Sequence, residues 1–163
     1  MAQRKPIKAK ATEQSPRVQL EAFVSKYSPE VAAEGRAALA KLRRRVPGAV
    51  ELVYDNFNWL VVGFGPSERA SEAVLSLVFT PRWITLCFLQ NGPKLPDPHR
   101  LLRGSGTRVR NVRLSSAKDL DDPRVVALID TALARASSPI VPKPRGRLVI
   151  RSISAKQRSR RPA

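Results

Sequence analysis

The chain is poor in the residues that most active-site chemistry needs. It holds one cysteine, one histidine and two tryptophans among 163 residues, so chemistry built on several thiols or imidazoles is excluded. A lone Cys87 cannot close an internal disulfide, which rules out a disulfide-stapled secreted scaffold and suits a reducing compartment. CxxC, HExxH and Walker-type phosphate loops are absent. No apolar run approaches the roughly 20 residues of a membrane-spanning helix. Met1-Ala2-Gln3-Arg4-Lys5-Pro6 leads into no apolar signal core. A cytoplasmic protein with no membrane partner is expected. No acid/base set can be assembled from spaced carboxylates, His99 and an apolar-flanked Cys87, so no enzymatic activity is expected.

Acid is scarce as well. Lys and Arg number 30 against 13 Asp and Glu, for a net charge of +17. The excess sits at the ends: residues 1–17 carry +4 and residues 137–163 carry +8 with no acid, leaving +5 for the 119 residues between. Such polycationic ends favour anionic partners. The expected partners are therefore a small anionic ligand or a metal ion on the folded body, and non-specific nucleic acid on the tails. Arg145, Arg147, Arg151, Lys156, Arg158, Arg160 and Arg161 are the candidate anion contacts of the C-terminal tail. The division that follows is a disordered basic tail over 1–14, an α+β domain over 15–138, and a basic, mostly disordered tail over 139–163.

Within the body, Ser15-Pro16 and Ser28-Pro29 read as helix caps with proline at the first helical position. Leu20, Phe23, Val24 and Tyr27 recur at helical spacing, predicting a helix over about 16–26. Val31, Ala38, Leu39, Leu42 and Val46 form the stripe of a second helix, ended by Pro47-Gly48. Four short runs rich in Val, Leu, Phe and Trp follow: Val50–Tyr54, Trp59–Phe64, Ala73–Phe79 and Trp83–Leu89. Their connections suit antiparallel neighbours. A fifth strand is expected around Arg108–Leu114, and Asp122-Pro123 opens a third helix with Val125, Leu128, Ile129, Ala132 and Leu133 on one side. The expected fold is an α+β sandwich: a five-stranded antiparallel sheet with two N-terminal helices and one C-terminal helix. Arg147–Ile153 reads as an edge strand and Ala155–Ala163 as disordered.

Alternation in the third and fourth strands is informative. Leu75, Leu77 and Phe79 share one face, as do Ile84, Leu86 and Phe88. The opposite face carries Val78, Trp83, Thr85, Cys87 and Leu89, which is apolar for a face open to water. A terminal segment, a partner or a second copy of the chain is expected to cover it, and a homodimer through this face follows as an expectation.

Several clusters invite a chemical reading beside a structural one. His99 has Asp97 two residues away in a proline-rich loop, a rigid turn or a ligand pair. Gly104-Ser105-Gly106-Thr107, flanked by Arg103, Arg108 and Arg110, either forms a plain loop or offers N–H groups and guanidinium forks to an anion. Asp119, Asp121 and Asp122 cap a helix or hold a hard cation. Asn56 and Asn58 are turn formers or ligand contacts. Cys87 in an apolar run reads as a small buried hydrophobe.

From Glu51-Leu52-Val53-Tyr54 onward the chain resembles the YdhG-like domain family. The resemblance rests on a Glu-x-x-Tyr strand, Gly63-Phe64-Gly65-Pro66, Pro81-Arg82-Trp83, Leu95-Pro96-Asp97-Pro98-His99 and Gly104-Ser105-Gly106, in that order, and covers about residues 17 to 136. It implies a frataxin-like sandwich and an iron-chaperone role, since some members are described as binding iron for delivery to iron–sulfur or haem synthesis. Iron is thus the one metal the resemblance suggests. Only Glu51 and Tyr54 carry over residue by residue; where the family has Gly-Met-Pro after the tyrosine, this chain has Asp55-Asn56-Phe57.

Overall fold

The computed structural model describes residues 14–163. The basic tail expected over 1–14 lies, up to residue 13, outside them. Among the described residues, three α-helices form where cap and proline coincide. Helix α1 (Pro16–Val24) starts at Ser15, whose hydroxyl accepts from the Val18 N–H at 3.2 Å. Helix α2 (Pro29–Arg45) starts at Ser28, which accepts from Val31 N–H at 3.2 Å. Glu30 in its first turn and Arg43, Arg44 and Arg45 in its last complement the helix dipole. Helix α3 (Pro123–Ala134) starts at Asp122, which accepts from Arg124 N–H at 2.9 Å.

Six strands of the described residues make one sheet: β1 (Val50–Asp55), β2 (Leu60–Gly65), β3 (Leu75–Phe79), β4 (Ile84–Phe88), β5 (Arg110–Leu114) and β6 (Arg147–Ile153). Their order is β5-β4-β3-β2-β1-β6. The first five pair antiparallel as neighbours, and β6 lies parallel beside β1. The α+β class and the five-strand meander agree with the sequence reading. The sheet departs from it in being mixed and six-stranded, because the C-terminal segment returns to β1.

The helices cover one face of the sheet. The strand residues that join the helix stripes in one core are Val53, Leu60, Val62, Phe64, Leu75, Leu77, Phe79, Ile84, Leu86, Phe88, Val112 and Leu114. They are every second residue, as the pleat requires. Helix α2 approaches β3 so closely that a Cβ at Gly35 would sit 2.1 Å from a Phe79 ring carbon. Tyr27, between α1 and α2, donates its hydroxyl to Phe79 O at 3.0 Å and accepts from Leu60 N–H at 3.1 Å. Both bonds are buried, and the ring lies 5.6 Å from that of Phe79.

The C-terminal segment is docked rather than free, which corrects the expectation of a mostly disordered tail over 139–163. Gly48 turns at φ +86°, and a Cβ there would meet Lys143 N at 2.5 Å, so the α2–β1 turn is shaped around the returning chain. Beyond β6, Arg160 is buried with 5% of its surface exposed. Its guanidinium donates to the fully buried Asp55 carboxylate at 3.0 Å and to Phe57 O at 3.3 Å. Lys26 Nζ reaches the other Asp55 oxygen at 2.6 Å. Gln157 and Ser154 donate to Asp55 O at 3.0 and 2.9 Å. A cationic tail folds here because a buried acid awaits it. Composition alone assigns such a tail to solvent.

Candidate functional site

The register of the sheet defines two rows of side chains on the face that no helix covers. One row runs Ser152, Tyr54, Val61, Val78, Thr85, Arg113 across the six strands. The next runs Val149, Leu52, Gly63, Ser76, Cys87, Asn111 and ends on Arg103, which bridges to Asn111 outside β5. Neither row contains a carboxylate. Leu52, Gly63 and Ser76, in the middle of the second row, are buried, whereas Tyr54, Val61, Val78, Thr85, Cys87 and Asn111 are only half-buried, so among the described residues this part of the face is not sealed.

Both tryptophans of the chain join it at one end. Trp59 precedes Leu60 and Trp83 precedes Ile84, two residues whose side chains face the helices, so alternation turns the tryptophans the other way. Trp59 is 38% exposed. Trp83 is held by a tight turn: its N–H donates to Thr80 Oγ1 at 3.1 Å, and the Thr80 hydroxyl donates to Trp83 O at 2.9 Å. Arg113 lays its guanidinium 3.7 Å from the centre of the Trp83 ring. Trp59, Val78, Trp83, Thr85, Cys87 and Asn111 line one hollow of about 420 Å³. Arg82 and Arg113 are exposed and make no ion pair among the described residues. Burial pushes the Cys87 thiol pKa up, against a smaller lowering by Ser76, so it stays protonated at neutral pH and is a poor nucleophile.

The residues singled out from the sequence scatter over several places. Glu51 and Tyr54 stand three apart on β1 and therefore on opposite faces. Tyr54 belongs to the open face. Glu51 points under the helices, only 3% exposed, and takes a bidentate fork from Arg43 at 2.8 and 2.9 Å. The two cannot share a ligand, and period-two alternation alone carried that signal. Arg43 and Glu51, with Arg17 and Arg145, line a cleft of about 460 Å³, where Arg43 is already engaged. Asn56 and Asn58 are exposed in the β1–β2 turn, and Asn56 accepts from the Ser152 hydroxyl at 2.8 Å.

His99 is exposed, and its neighbour Asp97 accepts from Leu101 and Leu102 N–H groups at 2.9 Å each, the arrangement of a closed turn. Arg103, Arg108 and Arg110 do not converge. Arg110 donates back to the carbonyls of Gly106 and Val109 and so closes its own loop. Arg108 is exposed, its carbonyl taken by Gly92 N–H at 2.8 Å, and Arg103 alone belongs to the open face.

The three carboxylates proposed for a metal serve separate partners. Asp119 accepts from Ser115 N–H at 2.7 Å. Asp121 pairs with Lys41, whose hydrogen bond holds its carboxyl below the usual range. Asp122 caps α3, and the Arg124 guanidinium that donates to it at 2.7 Å holds its pKa down to about 2. Among the described residues no group of three His, Cys, Asp or Glu stands close enough to hold a metal ion. These residues do not fit an iron site.

In the C-terminal segment Arg147 is paired with Glu68, Arg158 lies 5.9 Å from the Phe57 ring centre, and Arg160 is buried. Arg145, Arg151, Lys156 and Arg161 are exposed. The feature that sequence reasoning missed is Arg113. Its position two residues after Asn111 in an alternating strand was the available sign.

No protein-family model matches the chain, and no curated protein and no solved structure is similar to it. No described helix is long and apolar enough to cross a membrane.

Proposed function

We propose that this chain is a non-catalytic binding domain whose contact surface is the open sheet face. One observation carries the reading: a run of half-buried side chains without an acid, Tyr54, Val61, Val78, Thr85, Cys87 and Asn111, ending in two tryptophans and an arginine stacked on one of them. A monomeric domain rarely leaves aromatic and branched residues together on an uncovered layer unless a partner uses them. The protonated Cys87 and the closed turn around Asp97 supply no activated nucleophile, which supports binding over catalysis. Helices on one sheet face suit the YdhG-like, frataxin-like resemblance, which belongs to this proposal and would by itself assign no ligand. The iron-carrier role is not part of the proposal, because Asp119, Asp121 and Asp122 each serve a separate partner and, among the described residues, no three metal-ligating side chains stand together. A cytoplasmic setting suits the single thiol and belongs to the same reading.

The alternative, nucleic-acid association through the tails, keeps exposed cations in its favour. Docking of β6 and burial of Arg160 remove part of the C-terminal charge it relied on.

A thermal-shift screen tests the proposal. Ferrous iron, inorganic phosphate, nucleoside monophosphates and short oligonucleotides would be offered to the wild type and to W83A, with sedimentation run in parallel. Stabilisation or self-association that disappears in W83A is the expected result. Stabilisation equal in both proteins, or none with any probe and a monomer throughout, overturns it.

A further inference from the structure

Resting on the open-face reading above, we infer that the occupant of that face is a single-stranded nucleic acid, its bases stacked beside Trp59 and Trp83 and its phosphates met by Arg113, Arg103 and Arg82. Three observations point there. The first is the aromatic pair. Trp59 and Trp83 stand at the same end of β2 and β4, two strand spacings or roughly 10 Å apart, which one nucleotide chain can bridge. Indole faces take any base, because every base has a π-face.

The second is charge. The strand positions of this face carry no carboxylate, and its cations gather at one side, Arg113 on β5, Arg103 beside it and Arg82 in the turn before Trp83. Arg82 also borders a groove holding Glu30 and Glu34, so Arg113 and Arg103 are the stronger phosphate contacts. The guanidinium over Trp83 is already stacked, and a base laid on it or on the indole gains both π and cationic contact. The third is the polar complement. Thr85 and Asn111, both half-buried, offer donors and acceptors between the aromatic and cationic ends, as base edges require.

A duplex hides its bases and would leave the tryptophans unused. A second copy of the chain, docked face to face, would bring Arg113 and Arg103 of both copies into a layer with no acid from either, and burying unpaired charge is unfavourable. An unpaired polyanion with exposed bases fits what is there.

The test uses the full chain and a fluorescein-labelled twelve-residue oligothymidylate. Both tryptophans lie on the face, so their emission reports contact directly. Expected results are quenching on titration and a loss of affinity of about tenfold or more in W83A, with a smaller loss in W83F, which keeps a ring. About three phosphate contacts at ~0.7 each give a log–log salt slope near −2 from the face, and R113A should reduce the measured slope by roughly 0.7. The matching duplex should quench little. Circular dichroism confirms that each variant is folded.

Binding without quenching, unchanged in W83A and R113A, would place the contact on the tails and overturn the inference. Absence of oligonucleotide binding would overturn it too, and the parallel measurements then separate the two readings. If sedimentation shows a dimer that W83A disperses, the face is a binding surface for another copy and the domain reading stands. If no probe binds and no dimer forms, both fall.

Discussion

The two faces of the sheet are built from the same strands on opposite terms. Under the helices, Leu60, Val62, Phe64, Leu75, Leu77 and Phe79 are sealed, with exposures of zero. On the other face, one residue along each strand, Tyr54, Val61, Val78 and Cys87 are only half-buried. The difference teaches where stability and where recognition reside. Sealed residues gain both transfer free energy and close packing. Half-covered ones gain little of either and remain available to something else.

Charge follows the same division. The sealed side holds two carboxylates on β1, Glu51 and Asp55, each matched by a guanidinium. On the open side Arg113 and Arg103 have no acid among the strand positions around them, and only Arg147, at the far edge, is matched by Glu68. A buried pair is weak evidence of net stabilisation, yet removing one member leaves the other desolvated and unmatched. Arg160 Nε, buried without a hydrogen-bond partner, reduces the net gain of the Asp55 cluster further. What the cluster fixes is position: it ties the C-terminal segment to the β1–β2 turn beside Trp59.

The largest effect should therefore come from D55A. It leaves Arg160 buried and Lys26 without its acid, and is expected to cost about 3–5 kcal/mol in urea unfolding, the range for breaking a buried pair. A cost below about 1 kcal/mol would mean that the C-terminal segment is not docked in solution. Next is a matched pair across the sheet: L77A should cost about 2–5 kcal/mol and V78A less than about 1, although the residues are adjacent in sequence. Equal costs would show that another layer seals the open face.

Y27F comes third. It removes the donor to Phe79 O and the acceptor for Leu60 N–H, an expected loss of about 1–2 kcal/mol. Burial raises the Tyr27 hydroxyl above its ordinary value near 10, outweighing the Leu60 hydrogen bond and Arg160, which lower it. The unfolded chain then ionises first, so this contribution is complete below pH 10 and fades as pH climbs toward the folded value. The gap between wild type and Y27F should narrow from pH 9 to pH 11. The smallest effect on stability should be that of W83A, under about 1 kcal/mol by thermal unfolding, since the ring is already partly in solvent. A larger loss would make Trp83 a structural residue and weaken its place in the binding surface.

Much of the body was legible in the sequence. Ser15-Pro16, Ser28-Pro29 and Asp122-Pro123 announced three helices because cap and proline chemistry is local. Alternation in β3 and β4 announced both faces and placed Trp83 and Thr85 on the apolar outer one. The candidate site was legible only in part. Arg103 was found as one of a loop trio that does not converge. The carboxylates at 119, 121 and 122 were close in sequence yet turn to different partners, because capping orients each one separately. Glu51 and Tyr54 were read together although three residues along a strand reverse the face.

What the sequence by itself determined was the local order: where helices begin, how strands alternate, and that the second sheet face would be unusually apolar. Those features depend on near neighbours and on the periods of helix and pleat. Only the tertiary structure decided that Arg147–Ile153 would lie parallel to β1, that Arg160 would bury against Asp55, and that Arg113 would stack on Trp83. Each joins residues about 30 to 105 positions apart. Whether a distant cation finds its acid or its ring depends on where the packed core carries the chain, which no local pattern encodes.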